Sequence, residues 1–103
     1  MAVNLQDLTF ENTNQYTGDT FTLTFDNGLV IDLVLEEVKV IMEKHLQPRM
    51  KRDAFAWYFR GPRTPQLPQN TYTMTHEKLG ELRIFLVPLS APEQGVEYEA
   101  LFN

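Results

Sequence analysis

From Thr20 to Leu35 the chain reads as a β-hairpin, and no other stretch limits its fold as tightly. Thr20-Phe21-Thr22-Leu23-Thr24-Phe25 alternates threonine with large apolar residues, which places Phe21, Leu23 and Phe25 on one face of a strand. Asp26-Asn27-Gly28 is a turn sequence, and Leu29 to Leu35 resumes an apolar run broken by Asp32. A two-residue Asn27-Gly28 loop would set Leu23 opposite Asp32 and lodge a carboxylate among core aromatics. A three-residue loop, with Gly28 in the left-handed conformation, pairs Phe25 with Leu29, Leu23 with Ile31 and Phe21 with Leu33 instead. Directly opposed residues share a face, so this register gathers six apolar side chains on one side. The three-residue loop is therefore expected, with Asp32 facing water beside Val30 and Val34.

The same reading extends along the chain. Asn4 can cap a short helical turn carrying Leu5 and Leu8. Beyond Leu35, Val38, Met42 and Leu46 fit a helical stripe while Val38, Val40 and Met42 fit a strand; the β-branched pair favours the strand. Phe55, Trp57 and Phe59 alternate on another strand, which Gly61-Pro62 ends. Two more alternating segments, 71–76 and 81–89, meet at a turn containing Gly80, and Pro88 marks the end or an edge of the second. Val96, Tyr98, Ala100 and Phe102 align on a final strand. About six short strands with frequent turns predict a mostly β fold, an antiparallel barrel or sandwich, in one domain over residues 1–103.

Composition narrows the chemistry. The 103 residues include no cysteine, which removes disulfides, thiolate metal sites and cysteine nucleophiles. His45 and His76 lack flanking ligand spacing, so no metal and no other cofactor is expected, and both histidines read as surface or strand-end residues. Ser90, the only serine, lies outside any nucleophile-elbow sequence. Gly61-Pro62-Arg63 lacks the lysine and glycine spacing of a phosphate loop. Glu36-Glu37 would point to opposite faces of a strand, whereas Glu97 and Glu99 share one, most simply a solvated outer face. No acid/base or nucleophilic constellation emerges, and an enzyme is not expected. Met1 to Asp7 has neither a basic start nor an apolar run, and no apolar stretch is long enough to cross a bilayer. The expected location is the cytoplasm, which also suits assembly into an exported particle.

Charge is distributed unevenly. Between Lys44 and Arg63 six basic residues face one acid, Asp53, a balance of +5 in a chain whose net charge is −5. Such segregation orients a protein towards acidic partners or towards copies of itself. An acidic body repels a polyanion, and Phe55, Trp57 and Phe59 alternate as core residues do, so nucleic acid ranks below a protein partner. Arg49, Lys51 and Arg52 are accordingly the expected partner-binding residues. The alternative is a small-ligand or carbohydrate site in a barrel mouth, with Asp32, Tyr58 and His76 as polar contacts.

Several stretches together resemble an uncharacterised family of small bacterial domains. They are Gly18-Asp19-Thr20-Phe21, Phe59-Arg60-Gly61-Pro62, Leu67-Pro68-Gln69-Asn70-Thr71-Tyr72, Leu79-Gly80, Phe85-Leu86-Val87-Pro88 and Tyr98-Glu99-Ala100-Leu101-Phe102-Asn103. The resemblance implies a compact β domain and, through tail-collar-like neighbours of some members, a part in a phage-tail-like or surface assembly. It carries over no catalytic residue. In physical terms the stretches read as scaffold: Gly61 and Gly80 for backbone conformations closed to other residues, and Tyr72 and Phe85 as core aromatics.

Overall fold

The computed structural model describes residues 4–46, 49–90 and 93–103. Its six strands, β1 (Thr20–Thr24), β2 (Val30–Met42), β3 (Ala54–Gly61), β4 (Asn70–His76), β5 (Gly80–Ser90) and β6 (Val96–Phe102), close into an antiparallel barrel in the order β1-β2-β3-β6-β5-β4. Closure answers the open choice between barrel and sandwich, and each of the described strands has a neighbour on both sides.

The hairpin takes the expected register, with Phe21 opposite Leu33 and Leu23 opposite Ile31, while the Phe25 N–H donates to the Leu29 carbonyl at 2.9 Å. Gly28 has φ of 89° with open space where a Cβ would project. The cost of Gly28→Ala is therefore purely conformational, about 1 kcal/mol, readable as a lower denaturant midpoint with an unchanged m-value. Phe21, Leu23, Ile31 and Leu33 enter the core, but the Phe25–Leu29 pair lies at the rim, where Phe25 packs edge-on against Tyr72 at 6.0 Å. Asp32 faces outward and accepts a hydrogen bond from Thr22 Oγ1 at 2.8 Å.

β2 carries the strand reading through residues 36–42, with two irregularities that sequence alternation did not anticipate. Leu35 pairs with Phe59 and Glu37 with Tyr58, so Glu36 is an extra residue in a bulge. Glu36 and Glu37 consequently both face outward while Leu35 and Val38 both face in. Strict alternation would have sent one carboxylate into an aromatic core, at a desolvation cost far above that of a bulge. A second shift between Val40 and Met42 leaves Ile41 and Met42 exposed. Pro88 neither ends β5 nor sits on an edge: it pairs with Tyr98, and a shift before Ser90 accommodates the missing N–H.

The barrel interior is filled. Phe21, Leu33, Phe55, Trp57, Phe59 and Met74 have no exposed surface, and Tyr98 has 1%. Their rings interlock, Trp57 lying 5.4 Å from Phe21 and 4.7 Å from Phe102, and Phe55 stacking on Phe102 at 4.7 Å. Phe85 is an exception to the expected core: Leu82, Ile84 and Leu86 occupy the inward positions of β5, which leaves Phe85 outward and 49% exposed. Gly80 does need its backbone freedom, with φ of 76°, but Gly61 is required for space instead, because a Cβ there would collide with Leu33.

The N-terminal segment packs over one end of the barrel as a capped 3-10 turn (Leu5–Asp7), one helical turn α1 (Phe10–Thr13) and a second 3-10 turn (Asn14–Tyr16). Asn4 accepts the Gln6 N–H as an N-cap, and Thr9 and Asn12 form a reciprocal capping box. Leu8 is buried, and Thr13 Oγ1 accepts the Trp57 indole N–H at 3.2 Å. At the opposite end Leu67 is buried with its N–H donating to the Tyr98 hydroxyl at 2.8 Å.

Candidate functional site, a basic loop beside an acidic wall

The expected partner-binding residues divide into two kinds. Arg52 is structural. Its Nε donates to the Asn103 carbonyl at 3.0 Å, its Nη1 donates to the Leu5 carbonyl at 2.8 Å and to the Leu8 carbonyl, and its guanidinium lies 5.3 Å from the centre of the Phe55 ring. One planar cation thus ties the N-terminal turn, the end of β6 and the start of β3 together, a task suited to the fork geometry of arginine. Burial lowers its pKa from the ordinary value, and a guanidinium remains charged throughout. Arg49 and Lys51 are exposed. They border an open cleft of about 580 Å³ between Gln6 and Thr9 of the N-terminal segment, loop residues 49–52 and Asn103. Arg52 therefore anchors the described end of the segment, residues 49–52, on which Arg49 and Lys51 are presented. The sequence reading grouped all three because charge alone does not distinguish an anchored arginine from a free one; the buried aromatic three residues on, Phe55, was the available signal.

Arg60, on β3 within the same basic segment, is also committed. Arg60 Nε lies 3.0 Å from Glu36, its Nη2 lies 3.8 Å from Glu97, and its Nη1 donates to the Gly95 carbonyl at 3.2 Å. These contacts belong to an acidic region on the outer wall formed by β2, β3 and β6. Tyr58 stands at its centre, flanked in register by Glu37 and Glu99, and donates its hydroxyl to Glu99 at 2.9 Å. Burial, the Glu99 hydrogen bond and the negative field of Glu99, Glu37 and Glu97 push the Tyr58 phenol up to about 12. Ultraviolet titration at the phenolate band should show Tyr58 ionising near 12, and Glu99→Gln should return it towards the ordinary tyrosine value. The folded phenol keeps its proton between about 10 and 12 while the unfolded phenol loses it. Its contribution to stability is thus full below about 10 and is lost as pH rises through that window.

Asp32, Tyr58 and His76, the polar contacts expected of a barrel-mouth site, are not brought together. Asp32 and Tyr58 are on the outer surface, and neither they nor His76 line the 580 Å³ cleft or the smaller one of about 250 Å³ beside Phe25 and Tyr72. His76 ends β4 as expected but is buried, 3% exposed, rather than at the surface. Its Nε2 is 2.8 Å from Asp19, and its Nδ1 accepts the N–H groups of Lys78 and Leu79 at 3.1 and 3.2 Å. Two acceptances at Nδ1 assign the proton to Nε2, which donates to Asp19. The ring also stacks on Phe21 at 4.5 Å and meets Tyr16 edge-on at 4.8 Å. Both ring nitrogens are engaged in joining the β4–β5 turn to the start of β1, leaving neither for a ligand. Among the described residues, no three His, Asp or Glu side chains gather into a metal-binding group, and no helix is long and apolar enough to cross a membrane.

With this geometry in view, comparison with known proteins returns one family. Its model, described as a domain of unknown function (DUF6916), matches residues 8–102. The chain belongs to the DUF6916 family. No curated protein and no solved structure matches it. The match spans Arg52 and its partner Leu8, residues 49–51 and the whole acidic wall of this DUF6916 domain, while Leu5 and Asn103 lie just outside it.

Proposed function

We propose that this DUF6916 domain is a non-enzymatic structural or protein-interaction module, of the kind used in a phage-tail-like or surface assembly, and that Arg49 and Lys51 engage an acidic surface of a protein partner. The observation that carries this reading is the fixed presentation of positive charge: Arg52 binds the loop to three separate parts of the fold while Arg49 and Lys51 remain exposed. A segment anchored through Arg52 loses less entropy on binding than one with no anchor, so the charges beside it can contribute to affinity and specificity. A packed barrel interior, with Trp57 and its neighbours fully buried, directs recognition to the outside.

The test compares the wild type with an Arg49→Ser/Lys51→Ser variant in affinity capture from extracts of the source organism, at low and high salt. The wild type is expected to retain specific partners at low salt and to release them as the screening length falls from about 10 Å at 0.1 M to about 3 Å at 1 M. The variant should retain none while melting at the wild-type temperature. Equal capture by both proteins, or capture by neither, would sink the reading.

A further inference from the structure

We infer that the outer wall of β2, β3 and β6 is a self-association surface whose occupant is the same wall of a second copy, with its strands running in the reverse direction. The inference rests on the reading of the domain as an interaction module and adds to it a contact between copies.

Four facts carry it. First, beyond its acidic region the wall exposes apolar side chains: Ile41, Met42 and Leu101 are 48%, 38% and 60% exposed, and Phe85 on adjoining β5 is 49% exposed. Grouped exposure of this kind marks a contact surface, whereas single exposed residues do not. Second, the middle of the wall is low. Ala54 and Ala56 occupy the outward positions of β3 but are only 7% and 0% exposed, so the surface there is formed by the side chains that flank them, Lys39 and Leu101 being the paired neighbours of Ala56. The short β3 side chains leave the flanking β2 and β6 side chains to make the contact. Third, charge is segregated along the strands. Glu36, Glu37, Glu97 and Glu99 surround Tyr58 and Arg60 towards one end. Lys39 lies towards the other, where the loop bearing Lys44, Arg49 and Lys51 leaves the sheet, accompanied by Glu43 and Asp53.

The fourth fact is geometric. Two identical walls can meet face to face about a two-fold axis lying in the interface in two ways. An axis along the strands sets basic end on basic end and acidic end on acidic end. An axis across the strands reverses the second copy, so each basic end covers an acidic end, and the favourable pairing occurs twice. Charge complementarity therefore selects both the occupant and its orientation.

Sedimentation equilibrium and light scattering on the full chain test this directly. The mass should rise with concentration from 12.0 kDa towards twice that value and stop there, because a two-fold contact closes. Dimerisation should weaken about tenfold or more between 0.05 M and 1 M salt, which needs no variant. Lys39→Glu/Lys51→Glu makes both ends acidic, and Glu37→Lys/Glu99→Lys makes both basic; each should be monomeric alone. Mixed in equal amounts they should form a one-to-one heterodimer, a result that an unfolded variant cannot produce. A wild type that is monomeric throughout, a dimer indifferent to salt, variants that self-associate like the wild type, or folded variants that stay apart on mixing would each overturn the inference. Partner capture through Arg49 and Lys51 could survive any of these outcomes, so the two proposals fail separately.

Discussion

Replacing Trp57 by alanine is expected to remove about 3–5 kcal/mol of stability, the range for emptying a fully buried aromatic site. The indole has no exposed surface and contacts the rings of Phe21, Phe59 and Phe102 at 5.4, 5.9 and 4.7 Å. Each of these comes from a different part of the barrel wall, so a void cannot be closed by moving one side chain without disturbing the next. The indole N–H also donates to Thr13 Oγ1, whose hydroxyl donates to the Thr9 carbonyl at 2.6 Å. Loss of the ring thereby loosens the N-terminal segment as well as the core. Equilibrium denaturation would show the midpoint shift, and amide hydrogen exchange would show Phe10–Thr13 opening at lower free energy than in the wild type. Trp57→Phe keeps most of the volume but not the donor, so it should fall between the two. A change below about 1 kcal/mol for Trp57→Ala would contradict a packed barrel interior.

Arg52→Ala is expected to cost about 2–4 kcal/mol, since hydrogen bonds to a charged group contribute about 1.5–3 kcal/mol and a carbonyl left without a partner adds its own desolvation penalty. The guanidinium serves the carbonyls of Leu5, Leu8 and Asn103 together. Arg52→Lys should recover little of this loss, because an ammonium cannot reach three carbonyls spread around a planar fork. Arg49→Ala and Lys51→Ala, at exposed positions, should change stability by less than about 0.5 kcal/mol. Thermal and denaturant melts of the four variants would separate the anchor from the two presented charges. Equal effects at positions 49, 51 and 52 would remove the basis for treating Arg52 differently.

Much of this architecture was legible before any coordinates. The hairpin register could be argued because a wrong choice would have buried Asp32, and the energy of a buried carboxylate is large enough to discriminate between two turns. Alternation at Phe55, Trp57 and Phe59, and at Val96, Tyr98, Ala100 and Phe102, located the core face of β3 and β6 for the same reason: a period of two sorts apolar from polar side chains with no knowledge of partners. The N-terminal turn followed from Asn4 as a cap, a purely local interaction.

The candidate site was less legible, because its parts are distant in sequence. Arg52 owes its role to carbonyls 44 and 47 residues earlier and to the end of the chain, and nothing local to Arg49-Met50-Lys51-Arg52 tells it apart from its neighbours. His76 reads as an ordinary strand end until Asp19, 57 residues away, is placed against it. The acidic wall needed the bulge at Glu36, which turns a strict alternation into two adjacent outward carboxylates. Hydrophobic periodicity is written along one strand, so it settles which residues face inward and the β class of the fold. Barrel closure, bulge positions and the neighbours of each charge depend on which strands meet, and long-range pairing of the folded chain assigned them.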